Sequence, residues 1–284
     1  MKKCFFRALI FTAAFFLSLS LPGQQALTPA GDTISQAKSR HSLYSMAGTG
    51  YNMIYMGSSL SQDKPYYSAG LIYGFNNELF VSASGFHLAA YDPFISFSTW
   101  SLSYSHAFSS WFDISASASR YQVNKSLSDT LFTNFVYGDI TIGFDWKILY
   151  TKISVGELFS ESNGTYFQLR NSRYFETSEF GKRKAWFSFD PYVNMLFGTL
   201  TETSDWSVVV TPPFGKGKSG GGGSSQTSTR FSLMEVDLAV PVSFNIGKFT
   251  FDAEPGYVFP LYSYPSGPDT SGFVFTLGLI FRIF

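Results

Sequence analysis

Residues 234 to 246 alternate. Met234, Val236, Leu238, Val240, Val242, Phe244 and Ile246 fall on one face, and Glu235, Asp237, Ser243 and Asn245 on the other. Residues 248 to 262 repeat the pattern, with Phe249, Phe251, Ala253, Tyr257, Phe259 and Leu261 opposing Thr250, Asp252, Glu254 and Gly256. A period of two is the signature of a strand with one apolar and one polar face. A tight Gly247-Lys248 turn joins these two segments, which reads as a hairpin. Earlier in the chain Phe112, Ile114, Ala116 and Ala118 oppose Asp113, Ser115, Ser117 and Ser119. About twelve such segments can be read, near 43–58, 66–76, 78–91, 94–108, 111–123, 131–146, 148–159, 165–176, 185–200, 230–246, 248–262 and 271–284. The first, third and eighth alternate poorly, so roughly ten to fourteen strands fit the pattern.

The connections carry a second regularity. Those after the second, fourth, sixth and tenth segments are very short: Asn76-Asn77, Ser109-Ser110, the turn around Lys147, and Gly247-Lys248. Those after the first, fifth, seventh, ninth and eleventh are longer. Asp92-Pro93 reads as a short third connection and Gly181-Lys182-Arg183-Lys184 as a longer eighth, and both depart from the alternation. Short turns at one end and long loops at the other mark a transmembrane barrel. In hydrocarbon an unpaired backbone group costs several kcal/mol, so strands can span only as a closed sheet. The predicted fold is all-β, a transmembrane antiparallel up-and-down β-barrel. An even strand count places both termini at the short-turn, periplasmic end. Aromatics near segment ends (Tyr66, Tyr67, Tyr91, Trp111, Trp146, Trp186, Tyr262 and Tyr264) fall where interfacial girdles belong. The rival fold, a soluble β-sandwich, fits less well. Its outward faces would be almost wholly Phe, Leu, Ile and Val, with few edge lysines.

Composition agrees. The chain is 45% hydrophobic and 19% aromatic but only 14% charged, against about 25% charged in ordinary globular domains. Its formal net charge of +0 excludes the basic footprint of a nucleic-acid binder. The opening MKKCFFRALIFTAAFFLSLSLPGQQA has a basic start, an apolar run and small residues after it, as a secretory signal peptide does. Residues 1–25 are therefore read as the leader, 26–42 as a short periplasmic segment, and 43–284 as the barrel. Residues 201–230 form its long extracellular loop. Cys4 is the only cysteine, so no internal disulfide forms.

The alternating strands, the leader and the aromatic-rich last strand FVFTLGLIFRIF resemble a Gram-negative outer-membrane β-barrel. The stretch VDLAVPVSFNIGKFTFDAEPGYVFPLYSY is similar in style to small barrels of the Bacteroidota. The resemblance covers the mature chain and is one of pattern. It implies insertion by the barrel assembly machinery, with Phe281 and Phe284 as the assembly signal, and contact with outer-membrane lipid and lipopolysaccharide. One departure stands out. Arg282 occupies the place two residues before the terminal Phe where such signals carry an aromatic. The apolar face of Phe273, Phe275, Leu277, Leu279, Phe281 and Ile283 is out of register with Phe284 by one.

If the apolar faces look outward, then Asp139, Asp145, Lys152, Asp190, Glu235, Asp237, Asp252 and Glu254 face the lumen, with Arg170 and Arg173 as further candidates. A lipid-facing Arg or Lys costs about 2–4 kcal/mol at the midplane. Such charges can set a cation preference or brace and plug a narrow barrel. Glu235/Asp237 and Asp252/Glu254 repel unless water, cations or a base answers them. No metal cluster and no cofactor motif is found. FGKGKSGGGGS lacks the first glycine of a phosphate-binding loop and reads as a solvated loop. Ser160-Glu161-Ser162-Asn163-Gly164 resembles the His-x-Ser-Asn-Gly motif of the outer-membrane phospholipase, but Ser160 stands where the base belongs. No catalytic residue is assigned, and the chain is read as a non-enzyme. The expected function is a pore or small transport channel for polar or amphipathic solutes, touched by aromatics such as Tyr66, Tyr67 and Phe214. The alternative is a non-conducting anchor, adhesin or accessory barrel with outer-membrane partners; a lipid-modifying enzyme fits least.

Overall fold

The computed structural model describes residues 40–284 apart from 56–57, 129, 161–163, 204–207, 211–226 and 262–271. Among these residues twelve antiparallel strands close into a barrel. They are β1 (His41–Tyr51), β2 (Pro65–Phe75), β3 (Leu79–Leu88), β4 (Phe97–Ser109), β5 (Phe112–Val123), β6 (Phe135–Asp145) and β7 (Tyr150–Phe159). Then come β8 (Gly164–Ser172, continued by Phe175–Glu176), β9 (Trp186–Phe189 and Tyr192–Thr203), β10 (Thr227–Ala239 and Val242–Ile246), β11 (Phe249–Pro260) and β12 (Gly272–Arg282). Each pairs with its chain neighbours, and β12 closes on β1 from Tyr44↔Arg282 to Tyr51↔Phe275. Closure leaves no long open edge, which is what a sheet in lipid requires.

Alternation decides the two faces. Ile140 is 60% exposed on the outside, while its neighbours Asp139 and Thr141 are buried within. Leu71, Leu102, Val155 and Phe259 are likewise exposed outside, and Trp111 and Trp146 stand at the short-turn rim. Arg120 and Glu157 are outward exceptions, both close to the long-loop end of their strands. The tight turns use residues that tolerate the left-handed region. Asn76 and Asn77 have φ of 54° and 56°, and Gly247 has φ of 62°.

The sequence reading needs correction at several places. The first segment ends at Tyr51 rather than running to 58, because the chain then turns inward. Asp92-Pro93 belongs to a longer connection, residues 89–96, which restores the alternation at that place. Residues 181–184 make a tight turn closed by a Phe180↔Ala185 bridge. The extra length comes from β8 and β9 continuing past bends at Arg173-Tyr174 and Asp190-Pro191. Prolines mark this band. Pro191, Pro241 and Pro255 cannot donate, but their carbonyls accept from Arg173, Asp190 and Val240 at 3.1, 3.1 and 3.0 Å. A bulge opposite Leu196/Phe197 inserts Met234 as an extra residue, since Leu196 faces Glu235 while Phe197 faces Leu233. Met234, predicted on the greasy face, is therefore turned inward and fully buried.

Candidate functional site in the lumen

The lumen has two unlike walls. Strands β3 to β5 line it with small hydroxyl residues, Ser82, Ser84, Thr99, Ser103, Ser115 and Ser119, all buried. Strands β6 to β11 answer with long side chains: Tyr137, Asp139, Lys152, Arg170, Tyr192 and Asp237. The small wall leaves volume that the long side chains fill. Hydroxyls pair along it, as between Ser119 and Ser101 at 2.8 Å, and beside it on β6 and β7, between Thr141 and Ser154 at 2.6 Å.

Towards the short-turn end the filling is charged. The Arg170 guanidinium lies 3.6 Å from the Tyr192 ring centroid and 3.8 Å from the Asp190 carboxylate. The Tyr192 hydroxyl donates to Glu254 at 2.7 Å, and the Asn194 amide to Asp237 at 2.8 Å. Across the layer Tyr150 donates to Asp113 at 2.7 Å, and Ser117 donates to Asp139. Lys152 sits among Asp113, Asp139 and Asp190. Burial is deep, with Asp237 only 3% exposed. Charges this dry are stable only when paired or hydrogen-bonded. Yet among the described residues the buried acids, Asp113, Asp139, Asp190, Glu235, Asp237, Asp252 and Glu254, outnumber the bases Lys152 and Arg170.

Of the predicted lumen charges, Asp139, Lys152, Asp190, Glu235, Asp237, Asp252 and Glu254 are inside. Asp145 stands at the short-turn edge of this layer, within charge reach of Asp113 and Tyr150. It ends β6, and its carboxylate accepts from the Lys147 backbone at 2.7 Å, capping the turn. Arg173 lies at the rim, donating to the Lys147 carbonyl and facing the Phe175 ring. Arg170 is inside. Asp113 is an addition, and its parity with Ser115 and Ser117 already signalled it. Phe281 faces outward with its ring 4.8 Å from Phe249, while Phe284 lies past the strand end, its carbonyl accepting from Leu43 at 3.3 Å.

Towards the long-loop end the filling is apolar. Phe86 stacks on Phe97 at 4.4 Å, Phe97 meets the edge of Phe132 at 5.4 Å, and Tyr121 stacks on Phe135 at 4.5 Å. Two connections enter this cluster: β1–β2 supplies Met53 and Leu60, and β5–β6 supplies Leu127, Leu131 and Phe132. Leu158, Tyr166, Leu196 and Met234 join from the far wall, so one connected seal draws on β2 through β10. The incoming segments are pinned by polar bonds. Ser61 accepts from the Met53 backbone at 2.8 Å, and Asn124 caps the turn Lys125–Leu127 and donates to the Ile95 carbonyl at 3.1 Å. Gln62 donates to Tyr91 at 3.2 Å. Burial lifts the Tyr91 phenol above its ordinary pKa, and this hydrogen bond pulls the other way. Leu60 and Leu127, apolar residues inside predicted loops, were a signal for the seal.

Tyr66 corrects another expectation. It was placed in a girdle and on a solute-touching loop, but it points into the lumen and is 2% exposed. Its parity with Ser68 and Gly70 requires this; Tyr67 is the outward, exposed neighbour. The ring has room because Gly50 opposes it, and a Cβ on Gly50 would land on the Tyr66 hydroxyl. Gly156 makes the same room for Tyr137, and Gly198 for Tyr166 and Met234. Tyr262, Tyr264, Phe214, Ser162, Asn163, the glycine-rich stretch and the predicted leader all lie outside the described residues.

The three histidines stand on the outer face or rim. His41 meets Tyr73, His87 the Pro93 carbonyl and His106 Glu78. Among the described residues no group of three or more His, Cys, Asp or Glu side chains is placed to hold a metal ion.

No protein-family model matches the chain, and no curated protein matches it. Solved structures similar to it include LpxR from Salmonella typhimurium, at 9% identity and a TM-score of 0.45, covering 84% of this chain and 99% of that one. The NanC porin is similar at 9% identity and 0.46, covering 85% and 100%. The β domain of the Bordetella autotransporter Brka is similar at 8% and 0.36, covering 86% and 99%. At such identities and scores the assignment rests on the strand pairing itself. A closed sheet, greasy outside and polar inside, is the architecture of an outer-membrane β-barrel.

Proposed function

We propose that this barrel is a gated channel for small polar or cationic solutes, closed at its long-loop end in this conformation. The observation that carries the reading is the excess, among the described residues, of buried acids over bases in a lumen with one wall of small hydroxyls. Bracing alone gains little from buried carboxylates in excess of the bases, which cost stability, whereas a conduction path for cations uses them. The seal supports gating, because part of it comes from connections rather than wall strands. By the usual rule the short turns face the periplasm and the long loops the exterior. In the same reading residues 1–25 are a leader, lipopolysaccharide surrounds the outer rim, and the barrel assembly machinery inserts the chain. A non-conducting anchor or accessory barrel is the second reading, favoured by the continuity of the seal.

Planar-bilayer recording separates the two. Wild-type barrel is expected to show brief, rare, cation-selective openings. Removing the inserted Leu131 and Phe132 side chains (Leu131→Ser with Phe132→Ser) takes away about 3 kcal/mol or more of closed-state packing, so open probability rises by more than about tenfold. If both proteins are silent while keeping the heat-modifiable gel mobility of a folded barrel, the channel reading fails and the anchor reading stands.

A further inference from the structure

The β8–β9 hairpin runs past the neighbouring wall at the short-turn end. Its pairing with β7 stops at Tyr150↔Ser172. Beyond the bends it continues as Phe175↔Phe189 and Glu176↔Ser188, then as the Phe180↔Ala185 bridge. On the other side Trp186↔Asn245 aligns it with the short end of β10. Ser188 and Ser243 are buried on the inner face, so Phe187 and Phe244 look outward. Phe180 stacks on Phe187 at 5.9 Å, Phe187 meets Phe244 at 5.0 Å, and Phe244 meets Phe251 at 6.3 Å. This ladder is continuous with the greasy outer face of the barrel.

Directly after Phe180 the chain turns through Gly181-Lys182-Arg183-Lys184. Phe180 and Ala185 exchange backbone bonds at 2.8 and 2.9 Å, which holds the turn in shape. Lys182, Arg183 and Lys184 are all exposed, and among the described residues none of them pairs with a carboxylate. The register sets the Gly247-Lys248 turn alongside, with the Lys248 Nζ donating to the Ile283 carbonyl at 2.8 Å. Arg282 shares the parity of buried Ile280 and belongs to the lumen mouth instead. Of the acids on the hairpin, Glu176 accepts from the Tyr174 hydroxyl at 3.2 Å, and Glu179 is exposed.

We propose that this corner docks an anionic phospholipid, its phosphate held by the Lys182–Lys184 turn and an acyl chain laid along Phe180, Phe187 and Phe244. Phenylalanine lacks the polar tip that suits Trp and Tyr to a headgroup layer. The lowest rings therefore mark the edge of the acyl region, and the four residues after Phe180 stand at headgroup level. Cations held there favour anionic headgroups, and the guanidinium fork of Arg183 matches a phosphate. A water-soluble acidic partner would meet the charge but leave the ladder unused. The site rests on the barrel architecture and stands whether or not the barrel conducts.

Native mass spectrometry of the folded barrel tests it, with phosphatidylglycerol and phosphatidylcholine of matched chains added in equal amounts to a neutral detergent. Wild type is expected to retain phosphatidylglycerol about tenfold better or more. Lys182→Gln with Arg183→Gln and Lys184→Gln should bring that ratio close to one while keeping heat-modifiable gel mobility. Phe180→Ser with Phe187→Ser should lower retention of both lipids and keep the preference. Glycerol phosphate at the same concentration should displace neither lipid. Equal retention of the two lipids by wild type would overturn the proposal and leave the turn to an acidic protein. A folded triple variant with the wild-type ratio would overturn it too, and so would displacement by glycerol phosphate, which would mark a site for free phosphate.

Discussion

The two ends of the lumen solve one problem by opposite physics. A barrel of twelve strands encloses more space than short side chains fill. Towards the long loops the space is filled with rings and aliphatic groups, some borrowed from the connections, and the gain is contact and water exclusion. Towards the short turns it is filled with acids, two bases and tyrosine hydroxyls, and each member is stable only through its neighbours. The apolar end tolerates a missing partner as a cavity. The charged end meets the same loss as an orphaned ion.

The sharpest way to break the comparison is Arg170→Met. It removes the guanidinium beside Asp190 and over the Tyr192 ring, and should cost about 3–5 kcal/mol in detergent unfolding. Adding Asp190→Asn should recover more than half of that cost, and no recovery would mean that the layer is held by packing rather than charge. At the apolar end Gly156→Ala is the next largest. Its methyl meets the Tyr137 hydroxyl, for an expected cost of about 2 kcal/mol. Tyr137→Phe should relieve part of this in the double variant, and strictly additive costs would place the strain elsewhere. The smallest effect is expected on the serine wall. Ser119→Ala removes the 2.8 Å bond to Ser101 at about 1 kcal/mol, and a larger loss would show that the wall carries load of its own.

Much of this was legible along the chain. Parity assigned Asp139, Lys152, Glu235 and Asp252 to the interior because a strand leaves no other choice once its partners face lipid. The same rule, applied strictly, would also have placed Asp113 and Tyr66. What failed did so where periodicity stops or slips. Met234 was misassigned because a single inserted residue reverses parity, and a bulge has no local spelling. The seal was missed because Leu60 lies in a connection, where a period-two pattern has nothing to say, and because Met53, Leu131 and Phe132 were read into strands that stop or start short of them.

The paired glycines and tyrosines have a consequence for descent. Gly50 with Tyr66, Gly156 with Tyr137 and Gly198 with Tyr166 are each a notch on one strand and a ring on the next. A lineage that fills the notch must also trim the ring, so these positions should drift in couples. Related barrels that keep this interior should therefore betray it through joint substitution at those positions, even where nothing else in their sequences aligns.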